Sequence, residues 1–327
     1  MPRTIAVLLA AGLLLPAAQA PAQTIKYEPT AGVQTFAVRE PVLRIKPGTT
    51  VETRTFTRPG DYYDPKNAGP WPGEVGPFYI EGAEPGDQLV VRVLRLRPNQ
   101  DVAISNVTPG GISGVAGDSR TRLLNDPLPP RRFVWRLDRA RSVGVIDLPN
   151  SRVKQLEIPL RPMLGRVATA PAGQEAFGGL WPGDFGGNMD ASDVTEGVTV
   201  YLPVFHPGGL FYFGDFHAAQ GDGEIAGSGL ESTADVTFQF DLIKNKRIRW
   251  PRLENSEYIM VAGSQRPLID AFRIAYVELI EWLVADYGFD KMEAYQVASQ
   301  VGVVRVANVV DPHYTVIAKF PKSLLRR

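Results

Sequence analysis

Leu210-Phe211-Tyr212-Phe213-Gly214-Asp215-Phe216-His217-Ala218-Ala219-Gln220-Gly221-Asp222-Gly223-Glu224 decides how this chain folds. Its first four residues are aromatic and β-prone, so a strand is expected to lead into Asp215. Successive strand side chains alternate between faces, which places Asp215 and His217 together. Gly221-Asp222-Gly223 reads as a turn that returns Glu224 towards that pair. Carboxylates and an imidazole converging on one face suit a divalent cation such as zinc or manganese. A polar hairpin, with acids capping the turn and a hydrogen-bonded histidine, is the competing reading.

Outward from this stretch the pattern stays β. Short apolar runs at 88–93, 153–158, 198–204, 236–242 and 258–261 are bounded mostly by Gly, Pro, Asn or Asp, in a chain with 32 glycines and 28 prolines. Such spacing predicts antiparallel sheets. Helix is expected late. Leu268, Phe272, Ala275, Tyr276, Leu279, Ile280 and Leu283 form a stripe at helical spacing, with Pro267 in the first turn and Gly288 as the stop. Asp290 is placed to cap a second helix to about residue 300, and strands are expected again at 301–310 and 314–320. The fold class is therefore α+β, mainly β: antiparallel, sandwich-like sheets with two helices near the C-terminus. One unit over residues 21–327 is the simplest organisation, with room for two β subdomains meeting near residue 190. The Pro- and Gly-rich segment 59–77 reads as a long surface loop framing a site, and 170–187 as a second irregular stretch.

Residues 1–20 read as a signal peptide: Arg3, an apolar run from Thr4 to Leu15, then Ala18-Gln19-Ala20 as a cleavage site. The expected location is periplasmic or secreted, without stable membrane insertion. No cysteine is present, which removes thiolate metal ligands, disulfides and every cysteine nucleophile. Formal charge is zero, with 35 basic and 35 acidic residues, so the field expected of a nucleic-acid binder is missing. The basic cluster Lys244, Lys246, Arg247, Arg249 and Arg252 is expected at a solvated strand edge.

Several blocks resemble the acetamidase/formamidase family. They are Gly76-Pro77-Phe78-Tyr79-Ile80-Glu81-Gly82-Ala83-Glu84-Pro85-Gly86-Asp87, Met163-Leu164-Gly165 with Ala170-Pro171, Gly186-Gly187-Asn188-Met189-Asp190, Thr199 to Val204, and Gly214 through Glu231. Ala294-Tyr295, Val310-Asp311 and Phe320-Pro321-Lys322 also fit. The resemblance implies hydrolysis of a small linear amide, and Asn188, Asp190, Asp215, His217, Asp222, Glu224 and Glu231 all sit in its motifs. It does not divide ligands from bases.

The residues themselves weigh three routes to amide hydrolysis. A Ser-His-Asp triad must draw on His206, His217 or His313, and no Gly-x-Ser-x-Gly elbow is present. A Ser-Ser-Lys arrangement finds only Gly227-Ser228-Gly229. Metal-activated water needs two or three fixed ligands and a nearby carboxylate. Asp190, Asp215 and His217 are assigned as ligands, Glu231 and Glu224 as catalytic carboxylates, and Asn188 as an orienting residue, with zinc as the first-choice ion.

Simpler roles compete at several positions. Asp222 and Glu224 beside glycines can merely shape the turn, as can Asp87 and His206. Glu81 is a candidate to face the site, and His313 is expected at the surface. Many family members acting on simple amides carry an early histidine and tryptophan. Here Val33 to Glu40 has neither, which opens the expectation of a changed pocket and a different amide. A homodimer is the expected assembly. The reading from another class is a periplasmic ligand-binding protein that keeps the scaffold and a structural metal.

Overall fold

A computed structural model describes residues 23–66, 69–107, 114–116 and 128–325. The stretch read as a signal peptide lies outside these residues, and among them no helix is long and apolar enough to cross a membrane.

The quoted stretch forms the strand Phe211–His217, in which every residue is buried. A strand covered on both faces needs no polar alternation, which is why its sequence reads as an aromatic run. It pairs antiparallel with Met163–Ala168 on one side, and on the other with Val75–Ile80 and Glu231–Ser232. These belong to an eleven-stranded sheet among the described residues. A nine-stranded sheet is built around Ala234–Ile243, which lies between Thr50–Arg54 and Gln88–Pro98. Strands from both sides of residue 190 enter both sheets.

The two sheets stack through aromatic rings. Phe213 meets Phe238 at 4.9 Å between ring centroids, and Phe211 meets Phe240 at 5.1 Å, both edge to face. Phe78 joins them at 5.9 Å from Phe213, and all five rings are fully buried. Each such ring removes a large apolar area from water, and edge-to-face geometry adds about 0.5–1.5 kcal/mol per pair.

Helix α1, Leu268–Tyr287, lies on the nine-stranded sheet, burying Ala271, Ala275, Leu279 and Leu283 against Ile259, Val261, Val316 and Ala318. Gly263 allows the close approach, since a Cβ there would lie 2.4 Å from the Ala271 carbonyl oxygen. Pro267 is the N-cap residue and Gly288 ends the helix in the left-handed region, φ 72°. Asp290 caps α2, Lys291–Val301, accepting from the backbone N–H of Met292 and Glu293 at 2.8 and 3.1 Å.

Three sequence expectations are revised. Two strand pairs run parallel, Thr24–Lys26 with Thr50–Arg54 and Leu43–Ile45 with Val75–Ile80. The chain between the members of each pair is long enough for the crossover that parallel pairing needs. The 59–77 segment turns inward. Asp61 accepts from Thr57, Arg58 and Tyr63, and this knot sinks Tyr63 and Glu74 into the interior. The basic cluster is not a free edge, because Lys246 pairs with Asp286, Arg249 with Glu278, and the buried Arg252 lies over the Trp282 ring.

Phe238→Ala should remove the ring that joins the two sheets and cost about 3–5 kcal/mol of stability. A loss below about 1 kcal/mol in urea unfolding would place the joint elsewhere.

Candidate active site

Six carboxylates converge inside the eleven-stranded sheet: Glu74, Asp190, Asp215, Glu224, Glu231 and Asp311, each no more than 8 % exposed. Among the described residues, Arg166 and His217 are the cationic side chains that pair with them. Arg166 comes from Met163–Ala168 and Asp215 with His217 from Phe211–His217. Glu231 is the cross-strand partner of His217. Asp190 follows the short strand Gly186–Asn188, and the turn at Gly221–Gly223 delivers Glu224.

His217 is the hub. Its Nδ1 lies 2.8 Å from Gln220 Oε1, while Gln220 Nε2 donates to the carbonyls of Asp190 and Ala307 at 2.7 and 3.1 Å. An amide nitrogen can only donate, so Gln220 presents its oxygen and Nδ1 carries the hydrogen. Nε2 therefore faces the acids, 3.3 Å from Asp215 Oδ1 and 3.1 Å from Glu231 Oε1. It makes no hydrogen bond there, and neither does Asp190 Oδ1. Two triads, Asp190–His217–Glu224 and Asp215–His217–Glu231, each bring their ligand atoms within 4.8 Å of one another.

These residues fit a divalent cation. Buried atoms without a hydrogen bond, of both oxygen and imidazole type, in a carboxylate excess, are what such an ion would satisfy. Gly165 keeps the space open, since a Cβ there would stand 2.4 Å from Asp190 Oδ1 and 2.6 Å from Asp215 Oδ2. The backbone is bent to the same end. Of six non-glycine residues with positive φ among the described residues, three are Asp190 (45°), Asp215 (55°) and Glu224 (47°). Each costs about 1–3 kcal/mol and persists only where the surroundings enforce it.

A network supports the acids. Arg166 donates through Nη1 to Glu74 at 2.6 Å and through Nε to Asn188, and lies 3.3 Å from Asp215. Asn188 Nδ2 donates to Asp190 and Asp311, both at 2.6 Å. Burial pushes the Glu74 carboxyl up to about 7 despite Arg166, and Asp311 up to about 6 despite its hydrogen bonds. Burial, together with neighbouring acids, also raises Asp190 and Glu224 well above the usual carboxylate range. Burial works against ionisation of Asp215 too, yet Arg166 and His217 hold it down at about 2. Burial would lower His217, but Glu231 and Asp215 raise it well above 6.5.

A cavity of about 390 Å³ opens beside this cluster, lined by Asp215, Glu224, Glu231 and Arg166 and walled by Tyr62, Trp71, Leu180, Trp181 and Pro312. The expected ligands Asp190, Asp215 and His217 are thus brought together, with Glu224 and Glu231. Asn188 is not among the cavity-lining residues, because its amide is spent on Asp190, Asp311 and Arg166. Glu81 is exposed and away from the site, Asp222 pairs with Arg305 at 2.9 Å, and Asp87 braces its turn through the N–H groups of Glu84 and Asn245. His206 bonds the Pro171 carbonyl. His313, expected at the surface, is half-buried, its ring 5.2 Å from Trp181, and it does not line the cavity. Arg166, Glu74, Gln220 and Asp311 were not among the expected site residues, although Gln220 and Asp311 sit in the quoted motifs. A lone arginine inside an apolar β-run was the available signal for Arg166; Glu74 offers none.

The sequence profile of the acetamidase/formamidase family matches residues 159–326, which hold all of these acids except Glu74. The chain belongs to the acetamidase/formamidase family. It is similar to an acetamidase of Yersinia enterocolitica, whose crystal structure superposes with a TM-score of 0.81 at 38% identity over 94% of each chain. A formamidase of Methylophilus methylotrophus is 28% identical over 52% of this chain and 51% of its own. An acetamidase of Mycolicibacterium smegmatis is 28% identical over 52% and 53%. The chain thus spans about half the length of the curated relatives it matches.

The raised acids give this family member a defined pH dependence without metal. A carboxyl whose folded pKa lies above its unfolded value stabilises below the unfolded pKa and loses that contribution as pH rises through the folded one. Chelated protein should therefore lose stability from about pH 4.5 to about pH 7, Glu74 alone contributing about 3 kcal/mol. His217 shifts in the same sense. A melting temperature that climbs across this interval after chelation would contradict the assignment.

Proposed function

We propose that this chain hydrolyses a linear, non-peptide amide to a carboxylate and ammonia, with a divalent cation held by Asp190, Asp215 and His217. The observation that carries the cation is the pair of buried atoms without a hydrogen bond, His217 Nε2 and Asp190 Oδ1, among six carboxylates. Family membership supports the amide, and the names formamidase and acetamidase borne by relatives point to primary amides. Zinc is the first choice for a mixed carboxylate and imidazole set. Such an ion supplies acidity to a water and polarises the amide carbonyl.

The chain's own groups do the rest. Glu231 Oε1 accepts from Gly229 N–H at 3.0 Å and Ser228 Oγ at 3.3 Å, so its carboxylate is held facing the cavity. It takes the proton of the attacking water and returns it to the leaving nitrogen. Glu224, on the same cavity wall, is the second carboxylate able to do this. Arg166 lines the cavity with Nε and Nη1 engaged, and its guanidinium is the cation that would stabilise negative charge developing on the carbonyl oxygen. Asn188 holds Asp190 in position rather than touching substrate.

His217→Ala should abolish both metal retention and ammonia release. Full turnover in this variant, with metal content measured by mass spectrometry, would sink the mechanism. Gln220→Ala leaves the ligands intact and frees the imidazole to turn. A loss of roughly 10–100-fold in metal affinity is expected, and titration with a competing chelator reads it.

A further inference from the structure

Formamide or acetamide would leave most of the cavity to water. About 390 Å³ corresponds to roughly a dozen waters at ~30 Å³ each, within the range of pockets that enclose small organic ligands. Three aromatic residues, Tyr62, Trp71 and Trp181, line it. Trp71 lies under the Arg166 guanidinium at 4.3 Å, and its Nε1 donates to Glu74 at 3.2 Å. Tyr62 packs 5.3 Å from Trp71, its hydroxyl accepting from Asn106 at 2.9 Å. Trp181 stands edge-on to His313 and is 37% exposed. A tryptophan left open beside a charged cluster is not serving the core. Gly178 and Gly179 add backbone instead of side chains, and a Cβ at Gly179 would lie 2.8 Å from Glu74 Oε1. The six carboxylates disfavour an anionic substrate.

We infer that the substrate of this site is an uncharged primary amide with a flat aromatic acyl group, of the benzamide class. Its ring lies among Tyr62, Trp71 and Trp181, and its amide at Asp215, Glu224 and Glu231. The inference rests on the amidase reading. Water adds its oxygen to the acyl carbon, the carbon–nitrogen bond breaks, and the nitrogen takes both protons of water and leaves as ammonium, giving an arylcarboxylate. Rings favour offset or edge contacts with other rings, worth about 0.5–1.5 kcal/mol each beyond burial. A hexyl-length chain fills similar volume without them.

The test is ammonia release by the metal-loaded full chain from acetamide, hexanamide, benzamide and 4-carboxybenzamide. The kcat/KM for benzamide should exceed those of the other three by about tenfold, the upper end of what one ring contact supplies. Trp181→Ala should collapse the benzamide-over-acetamide ratio about tenfold, and Trp181→Phe should keep most of it. Acetamide or hexanamide turned over as well as benzamide would overturn the inference and leave the amidase reading standing. A ratio unmoved in Trp181→Ala would likewise overturn it. Silence towards all four, from folded and metal-loaded protein, would overturn the amidase reading and this inference with it.

Discussion

Six carboxylates buried around one arginine and one imidazole are the constraint that orders this molecule. Removing an ion from water costs several kcal/mol even after relaxation, and like charges at close range raise that cost. Three responses are open: protonation, a paired guanidinium, or a cation. All are visible. Glu74 and Asp311 are driven towards protonation at about 7 and 6. Asp215 stays ionised beside Arg166. The remainder, centred on His217 Nε2, is left for a proton or a metal, which compete for the same lone pair. The proposed ion is thus the counter-charge that lets the cluster exist at neutral pH as well as a reagent.

The acids reach one point because the backbone departs from regular strand. With strict alternation, Phe211, Phe213, Asp215 and His217 would share a face, and the acid and imidazole would enter the aromatic core. Phe211, Phe213 and Phe216 all lie in that core instead, so the parity changes between 213 and 216. The left-handed φ of Asp215 makes the change. The register with Met163–Ala168 runs unbroken past this point, so the change is a local rotation of the backbone, and it returns Phe216 to the core and His217 to the acids.

Much was legible in the sequence because it rests on local rules. The stripe Leu268 to Leu283, the Gly288 stop and the Asp290 cap identify both helices, and the spacing Asp215, His217, Glu224 identifies the cluster. Asp215 and His217 do converge, though through a parity shift that alternation alone could not foresee. What escaped is set by long-range packing. Glu74 and Asp311 are far apart in the chain and meet only because Val75–Ile80 borders Phe211–His217 and the segment after Val303–Asn308 folds over Asn188. Local pattern holds no record of such pairings. The 59–77 loop misled for a related reason: its Pro, Gly and Asp content reports turns, while the Asp61 knot that folds those turns inward is tertiary.

The loop also shows how one scaffold separates the charged cluster from the wall of the cavity beside it. The acids ride on strands and on turns tied to strands, and their positions are fixed by ladder hydrogen bonds and by glycines at 165 and 229 whose side chains would strike Asp190, Asp215 or His217. Most of the aromatic cavity wall comes from the segments 59–77 and 170–187, with Gln34, Gly227 and Pro312 added from elsewhere. Change there alters the shape of the cavity without moving Asp190, Asp215 or His217. Arg166 is the joint between the two, since one guanidinium touches Asp215, Asn188 and Glu74 in the charged cluster and stacks on Trp71 of the wall. Its planar fork can satisfy the acids edgewise while its face supports an aromatic ring, a division of labour that a lysine at this position could not reproduce.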